Sequence, residues 1–279
     1  MHSKSMYIYT LLLLMLASFL PAPLIAEQIV IKGSTTLQPI VEKIAESYER
    51  DHPGSRIALS AMGSDTGIGA LLSGGANIAA SSRCLRTAEI KQAAEQGFSL
   101  VPHLVAYDAI IPIVHHSNPL KNISARQLRE IYSGKIRNWK SLGSEDRKIQ
   151  AISRTPESGT YDTWKQKIMR NEQIYTSATM VVTTAEVVNA VSSQPGAIGY
   201  VGLGYLSASS RVKPLKVDGL YGSLKTVKDG SYLLSRPLFL FTRGWPQGAA
   251  SKFIQYCQRA DKGQGMVEQS GFIPAMKPD

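Results

Sequence analysis

The sequence predicts an α/β protein with mixed, mostly parallel sheets, built as two lobes with the second inserted into the first. Three observations carry this. From Gln28 onward short apolar runs alternate with amphipathic segments, the pattern of strands joined by helical crossovers. Turns rich in Ser, Thr and Gly at residues 33–36, 62–67 and 154–160 each follow a strand or open a helix. Two apolar, strand-like passages, 100–114 and 233–242, are placed to carry the chain out of the first lobe and back, so two strands form the hinge. The boundaries read as a signal peptide at 1–26, one lobe from 27–107 plus 234–279, and the other from 108–233.

The N-terminal reading rests on Lys4, an almost purely apolar stretch from Tyr7 to Leu20, then Pro21, Pro23 and a small residue at Ala26. An apolar core this short argues against a spanning helix. No cysteine lies near the expected cleavage after Ala26, so the exported chain is expected without a lipid anchor, in a bacterial periplasm. Removing residues 1–26, which hold one lysine and no acid, lowers the formal net charge from +10 to +9. A basic balance favours anionic partners. The Lys and Arg residues are dispersed, however, with no aromatic-studded basic stripe, which argues against nucleic acid. Cys84 and Cys257 either pair or remain two ordinary thiols; the sequence leaves both open.

Taken in order, Ile29–Ile31 is the first strand, and Leu37, Ile40, Val41, Ile44, Ala45 and Tyr48 fall on one helical face after the turn at 33–36. Arg56 to Ser60 reads as a strand, followed by M-G-S-D-T-G at 62–67 and a helical face of Ile68, Leu71 and Leu72. Asn77 to Ala80 is a short buried strand that delivers Ser81, Ser82 and Arg83. A plain helix cap by Ser82 or Thr87 is the structural alternative there. The runs 100–105 and 109–114 flank Tyr107-Asp108 at the first crossing. Ser124 caps a helix bearing Leu128 and Ile131, and Trp139 packs on the lobe core. Residues 149–152 form the strand feeding Arg154. Thr184 caps a helix with a stripe of Val187, Val188 and Val191, 197–201 is a buried strand, and 249–257 is a closing amphipathic helix.

The chemistry gathers in the turns. The first N–H groups of a helix lack intrahelical acceptors and sit at the positive end of its dipole, so R-T-P-E-S-G-T at 154–160 reads as an anion hook. Gly159 admits a ligand close to the backbone, and Arg154 supplies a fork of donors matched to a tetrahedral oxyanion. An ordinary N-cap at Ser158 or Thr160 would explain this stretch alone. Its recurrence at residues 33–36 and 62–67 favours a site, because open α/β sheets collect ligands at the carboxyl ends of their strands. The phosphate-loop nucleotide motif is absent, as are G-x-S-x-G and H-E-x-x-H, which disfavours the alternative of a secreted phosphatase or other hydrolase. His115-His116 has no evident third ligand, so no metal site is expected.

In combination, I-K-G-S-T-T-L-Q-P at 31–39, G-S-D-T-G at 63–67, A-A-S-S-R at 79–83, I-Y-S-G-K-I-R-N-W at 131–139, the Arg154 motif, P-G-A-I-G-Y-V at 195–201 and S-R-P-L-F-L-F-T at 235–242 resemble the periplasmic phosphate-binding proteins of ABC-type phosphate importers. The resemblance runs from about residue 28 to 273 and implies a type II, Venus-flytrap binding protein. Such a protein closes on one inorganic phosphate, needs no cofactor, and hands its cargo to a membrane permease as a monomer. The resemblance implies Thr35, Thr36, Ser64, Arg154, Ser158, Gly159 and Thr160 as ligand groups, with Ser34 and Ser82 beside them and Asp65 and Arg83 as additional candidates. Many relatives place an aspartate where this chain has Ser82; its carboxylate accepts the proton of phosphate and so helps to reject sulfate. Here either the Ser82 hydroxyl accepts that proton or Asp65 takes the role, and the expectation is Asp65. Sulfate, molybdate or an organic phosphate is the alternative ligand.

Overall fold

The computed structural model describes residues 27–276. The expected signal peptide at 1–26 lies outside them. The first lobe opens with β1 (Glu27–Gly33), α1 (Gln38–Asp51), β2 (Ser55–Ala61), α2 (Ser64–Leu72), β3 (Ile78–Ser81) and α3 (Thr87–Glu95), and the long strand β4 (Leu100–His115) leads out of it. The second lobe holds β5 (Asn122–Ile123), α4 (Ala125–Tyr132), β6 (Gln150–Arg154), α5 (Gly159–Lys167), β7 (Thr179–Val181), α6 (Thr184–Ser193), β8 (Ala197–Gly202), β9 (Val212–Pro214), β10 (Lys216–Val217) and α7 (Leu224–Lys228). The chain returns along β11 (Ser235–Arg243) and ends with α8 (Gly248–Gln258), α9 (Gly265–Gln269) and β12 (Ile273–Pro274).

One mixed sheet runs β2-β1-β3-β11-β4-β8-β6-β7 through both lobes, with β9 and β12 attached to β4. The pairings β1–β2, β1–β3, β6–β7 and β6–β8 are parallel, as expected from strand–helix alternation. Each antiparallel pairing between two of these strands involves β4 or β11. The reason is topological: a chain that leaves along β4 and returns beside it along β11 must run the opposite way. β4 belongs to both lobes, pairing with β11 from Leu100 to Ala109 and with β8 from Ile110 to Val114.

The cores follow from side-chain periodicity. On α1, Ile40, Val41, Ile44 and Tyr48 are buried together with Ile29 and Ile31 of β1 and Phe253 of α8. On the other face Ile68 and Leu71 of α2 pack near Phe241. The second lobe is centred on Trp139, Trp164, Tyr200 and the valines of α6, with the Trp164 and Tyr200 rings stacked at 4.1 Å. Two caps differ from expectation. Thr183, not Thr184, caps α6, because its hydroxyl accepts from the Glu186 N–H in a capping box. Helix α3 starts after Arg86, so Thr87 is its first helical residue and Ser82 lies well before it. Cys84 is exposed and Cys257 buried, and the two are not paired. Among the described residues no helix is long and apolar enough to cross a membrane.

Gly33, where β1 gives way to the first Ser/Thr turn, is fixed by sterics. Its φ is +142°, and a Cβ there would lie 2.0 Å from the Ala80 carbonyl oxygen. That carbonyl accepts the Ser34 N–H at 2.8 Å, so it cannot withdraw without losing the turn. Gly33→Ala is therefore expected to destabilise the fold by about 3 kcal/mol, read as a lowered midpoint of urea unfolding.

Candidate anion site

Six element ends converge between the lobes. β1 ends at Gly33 and presents Ser34, Thr35 and Thr36; α2 opens with Ser64; β3 is followed by Ser82. From the second lobe, β6 ends in Arg154, Ser158 caps α5 and leads into Gly159 and Thr160, and α6 opens with Thr184. All the side chains named here are buried. The Ser158 hydroxyl accepts from the N–H groups of Thr160 and Tyr161 at 3.2 and 3.3 Å, so it is at once a helix cap and a member of this cluster.

The hydroxyls fall into three groups. Thr35 and Thr184 meet across the lobes with their Oγ1 atoms 3.0 Å apart, and Arg154 donates to both, through Nη1 to Thr184 at 2.9 Å and Nη2 to Thr35 at 3.0 Å. Thr36 and Thr160 form a second cross-lobe pair, also at 3.0 Å. Arg236 of β11 donates to both of these, through Nη1 to Thr160 at 3.0 Å and Nη2 to Thr36 at 3.4 Å. The third group is Ser34, Ser64 and Ser82. Ser34 Oγ donates to Ser82 Oγ at 3.0 Å, and the Ser82 N–H donates to Ser64 Oγ at 3.1 Å. Gly159 closes over these serines; a Cβ there would lie 2.5 Å from Ser64 Oγ and 2.7 Å from Ser82 Oγ.

The charges decide what this arrangement can hold. Arg154 is 1% exposed, no carboxylate touches it, and its Nε has no hydrogen-bond partner among the described residues. Burial, reinforced by the nearby Arg236 charge, lowers its pKa to about 10, which leaves it protonated at neutral pH. Arg236 is paired with Asp108 through Nη2 at 2.7 Å and Nε at 3.0 Å. The buried cluster of hydroxyls thus holds two guanidinium groups and one carboxylate, the latter paired with Arg236, and the surplus of positive charge favours a tetrahedral oxyanion.

Most residues expected at the site from the sequence meet here: Ser34, Thr35, Thr36, Ser64, Ser82, Arg154, Ser158, Gly159 and Thr160. Asp65 and Arg83 do not. The Asp65 carboxylate accepts from Arg83 at 2.6 Å and from Arg86 at 2.7 Å, while Arg83 is further held by Glu89. Both are taken up in an ion-pair network with Arg86 and Glu89, apart from the hydroxyl groups, so both oxygens of the carboxylate expected to act as acceptor are held by arginines. Thr184, Arg236 and Asp108 were not anticipated. The T-T-A-E sequence at 183–186 held the clue to the first, since a capping box assigns Thr183 to the cap and leaves Thr184 for other work. For the other two the signal was fainter: Asp108 is the one acid of β4, and Arg236 stands just ahead of the apolar run Pro237–Phe241 of β11.

A model of the PBP superfamily domain matches residues 21–261. Among curated relatives, the phosphate-binding protein PstS of Borreliella burgdorferi is 32% identical over 253 residues, covering 87% of this chain and 88% of its own length. That of Staphylococcus epidermidis is 30% identical over 258 residues, covering 88% of this chain and 78% of its own. A Clostridium perfringens structure, described as that of a substrate-binding protein of a phosphate ABC transporter with bound phosphate, superposes with a TM-score of 0.82 at 30% identity, covering 90% of this chain and 100% of that one. An ABC-type phosphate transport receptor from Vibrio cholerae gives 0.72 at 27% identity, with coverages of 88% and 99%.

The close approach at Gly159 has a measurable consequence. A methyl group there would meet Ser64 and Ser82 of the opposite lobe, so Gly159→Ala should fold normally yet fail to close fully. Small-angle X-ray scattering is expected to show a larger radius of gyration for this variant than for the parent protein, each with saturating phosphate.

Proposed function

Because the chain belongs to the PBP superfamily, and within it to the family of PstS phosphate-binding proteins, we propose that it captures inorganic phosphate in the periplasm and delivers it to an ABC permease for import. In this reading residues 27–107 with 234 onward move as one lobe and 108–233 as the other, closing on the anion about β4 and β11. The observation that carries it is Arg154: a buried guanidinium that has no carboxylate partner among the described residues and donates to hydroxyls from both lobes. A buried charge is tolerated when it is paired and hydrogen-bonded, and a captured oxyanion completes that pairing. The ligand needs no metal, since guanidinium groups and helix N-termini supply the positive potential.

Binding without turnover is supported by the histidines. Among the described residues, His52 bonds the Tyr48 carbonyl, His103 bonds Thr242, His115 bonds Ser117, and His116 bonds the Arg211 carbonyl, so none of these four is engaged with a site serine. A second reading, an oxyanion such as sulfate or molybdate, is favoured by one feature: the carboxylate that touches the cluster, Asp108, is occupied by Arg236, and the serine group has only hydroxyl acceptors.

Calorimetric titration of the anion-stripped mature protein is expected to show one-to-one phosphate binding and weak sulfate binding. Comparable sulfate binding would select the second reading, and turnover of p-nitrophenyl phosphate would overturn the assignment of a pure binding protein. Arg154→Gln removes the unpaired charge and should weaken phosphate binding by about 10²-fold or more, with the thermal unfolding midpoint little changed.

A further inference from the structure

Asp108 and Arg236 are register partners on the two crossing strands, with side chains 0% and 3% exposed. The carboxylate is fixed on both sides. Its Oδ1 accepts the Leu203 N–H at 2.8 Å, and a Cβ on Gly202 would lie 2.9 Å from its Oδ2. Holding Arg236 by Nε and Nη2 aims the rest of the fork. Nη1 reaches Thr160 Oγ1 at 3.0 Å and the Ser82 carbonyl at 3.2 Å, and Nη2 reaches Thr36 Oγ1 at 3.4 Å. A buried ion pair alone would not require these contacts to both lobes.

Their chemistry is one-directional. A guanidinium only donates, so the Thr36 and Thr160 oxygens must accept from it. Each hydroxyl has one proton. One of these protons is used across the 3.0 Å contact between the two threonines, and the other is left for the cleft. We propose that Arg236, anchored by Asp108 at the hinge, is a positioning residue for anion capture: it turns the Thr36–Thr160 pair into a donor toward the bound oxyanion and ties that contact to lobe closure. The inference rests on the anion-capture reading and adds a residue that acts through others to the groups that touch the ligand.

Asp108→Asn separates this role from simple charge. The variant keeps the side-chain volume and an acceptor for the Leu203 N–H, and it makes the site more positive. Charge alone therefore predicts tighter phosphate binding, whereas positioning predicts about tenfold weaker binding because the fork is no longer held; unchanged or tighter binding overturns the proposal. Arg236→Lys, which keeps the charge but cannot meet three oxygens at once, provides a second route that does not depend on Asp108→Asn folding. It should weaken binding about tenfold in the parent protein and less than about twofold when Thr160 is already valine; equal losses in the two backgrounds overturn the proposal. If the parent protein binds sulfate or molybdate but not phosphate, the functional assignment falls while the same ratios, measured with that anion, still judge Arg236. If it binds none of these anions, both fall.

Discussion

A guanidinium buried without a carboxylate beside it is the constraint around which the rest of this protein is arranged. Desolvating Arg154 is unfavourable and lowers its pKa, and the fold answers with dipoles in place of a fixed counter-charge. Thr35, Thr184 and the Val182 carbonyl accept its protons, and the remaining electrostatic demand is left for a ligand. A permanent acid at that spot would satisfy the arginine and abolish the site. The second guanidinium, Arg236, has such an acid in Asp108, which is why Arg236 can serve the geometry while Arg154 serves the anion.

The same logic explains why the site sits at the hinge. β4 and β11 are the strands that cross between lobes, and they lie side by side, which makes Asp108 and Arg236 direct register partners. Contacts farther from the crossing join residues on different lobes: Thr35 to Thr184, Thr36 to Thr160, the Asp65 N–H to the Glu157 carbonyl, and Arg86 to Asp162. Each of these contacts spans the two lobes. Gly159 sets how near they come, since its missing side chain is the space that Ser64 and Ser82 occupy.

The strand–helix alternation, the amphipathic face of α1 and the Ser/Thr turns were legible because each is local: a period, a cap, or a turn within a few residues. Arg154 and the Ser158–Thr160 turn could be read for the same reason. The ion pairing of Asp65 could not be read in the sequence, because its neighbours Ser64 and Thr66 say nothing of Arg83 and Arg86, which arrive from beyond β3 and donate to both carboxylate oxygens. Arg236 was missed because its partners lie far away in the chain: 128 residues away at Asp108 and 76 at Thr160. Long-range pairing between crossing strands leaves only a faint trace in sequence, a single charge inside an apolar run.

The distribution of the two guanidinium groups also bears on ligand choice. Each threonine pair is committed to a cation, so its oxygens have lone pairs in use and protons to give. The serine group has no guanidinium on its hydroxyls; Arg236 reaches only the Ser82 carbonyl. With Ser34 donating to it and no guanidinium on it, Ser82 Oγ keeps one lone pair free to accept. A hydroxyl can accept the proton of a hydrogen phosphate, but it can equally turn and donate to a fully ionised oxygen. A carboxylate would repel a sulfate oxygen at that place, whereas a serine does not. The direction of the Ser82 hydroxyl is set by its neighbours: Ser34 Oγ donates to it at 3.0 Å, and Ser64 Oγ lies 3.4 Å away.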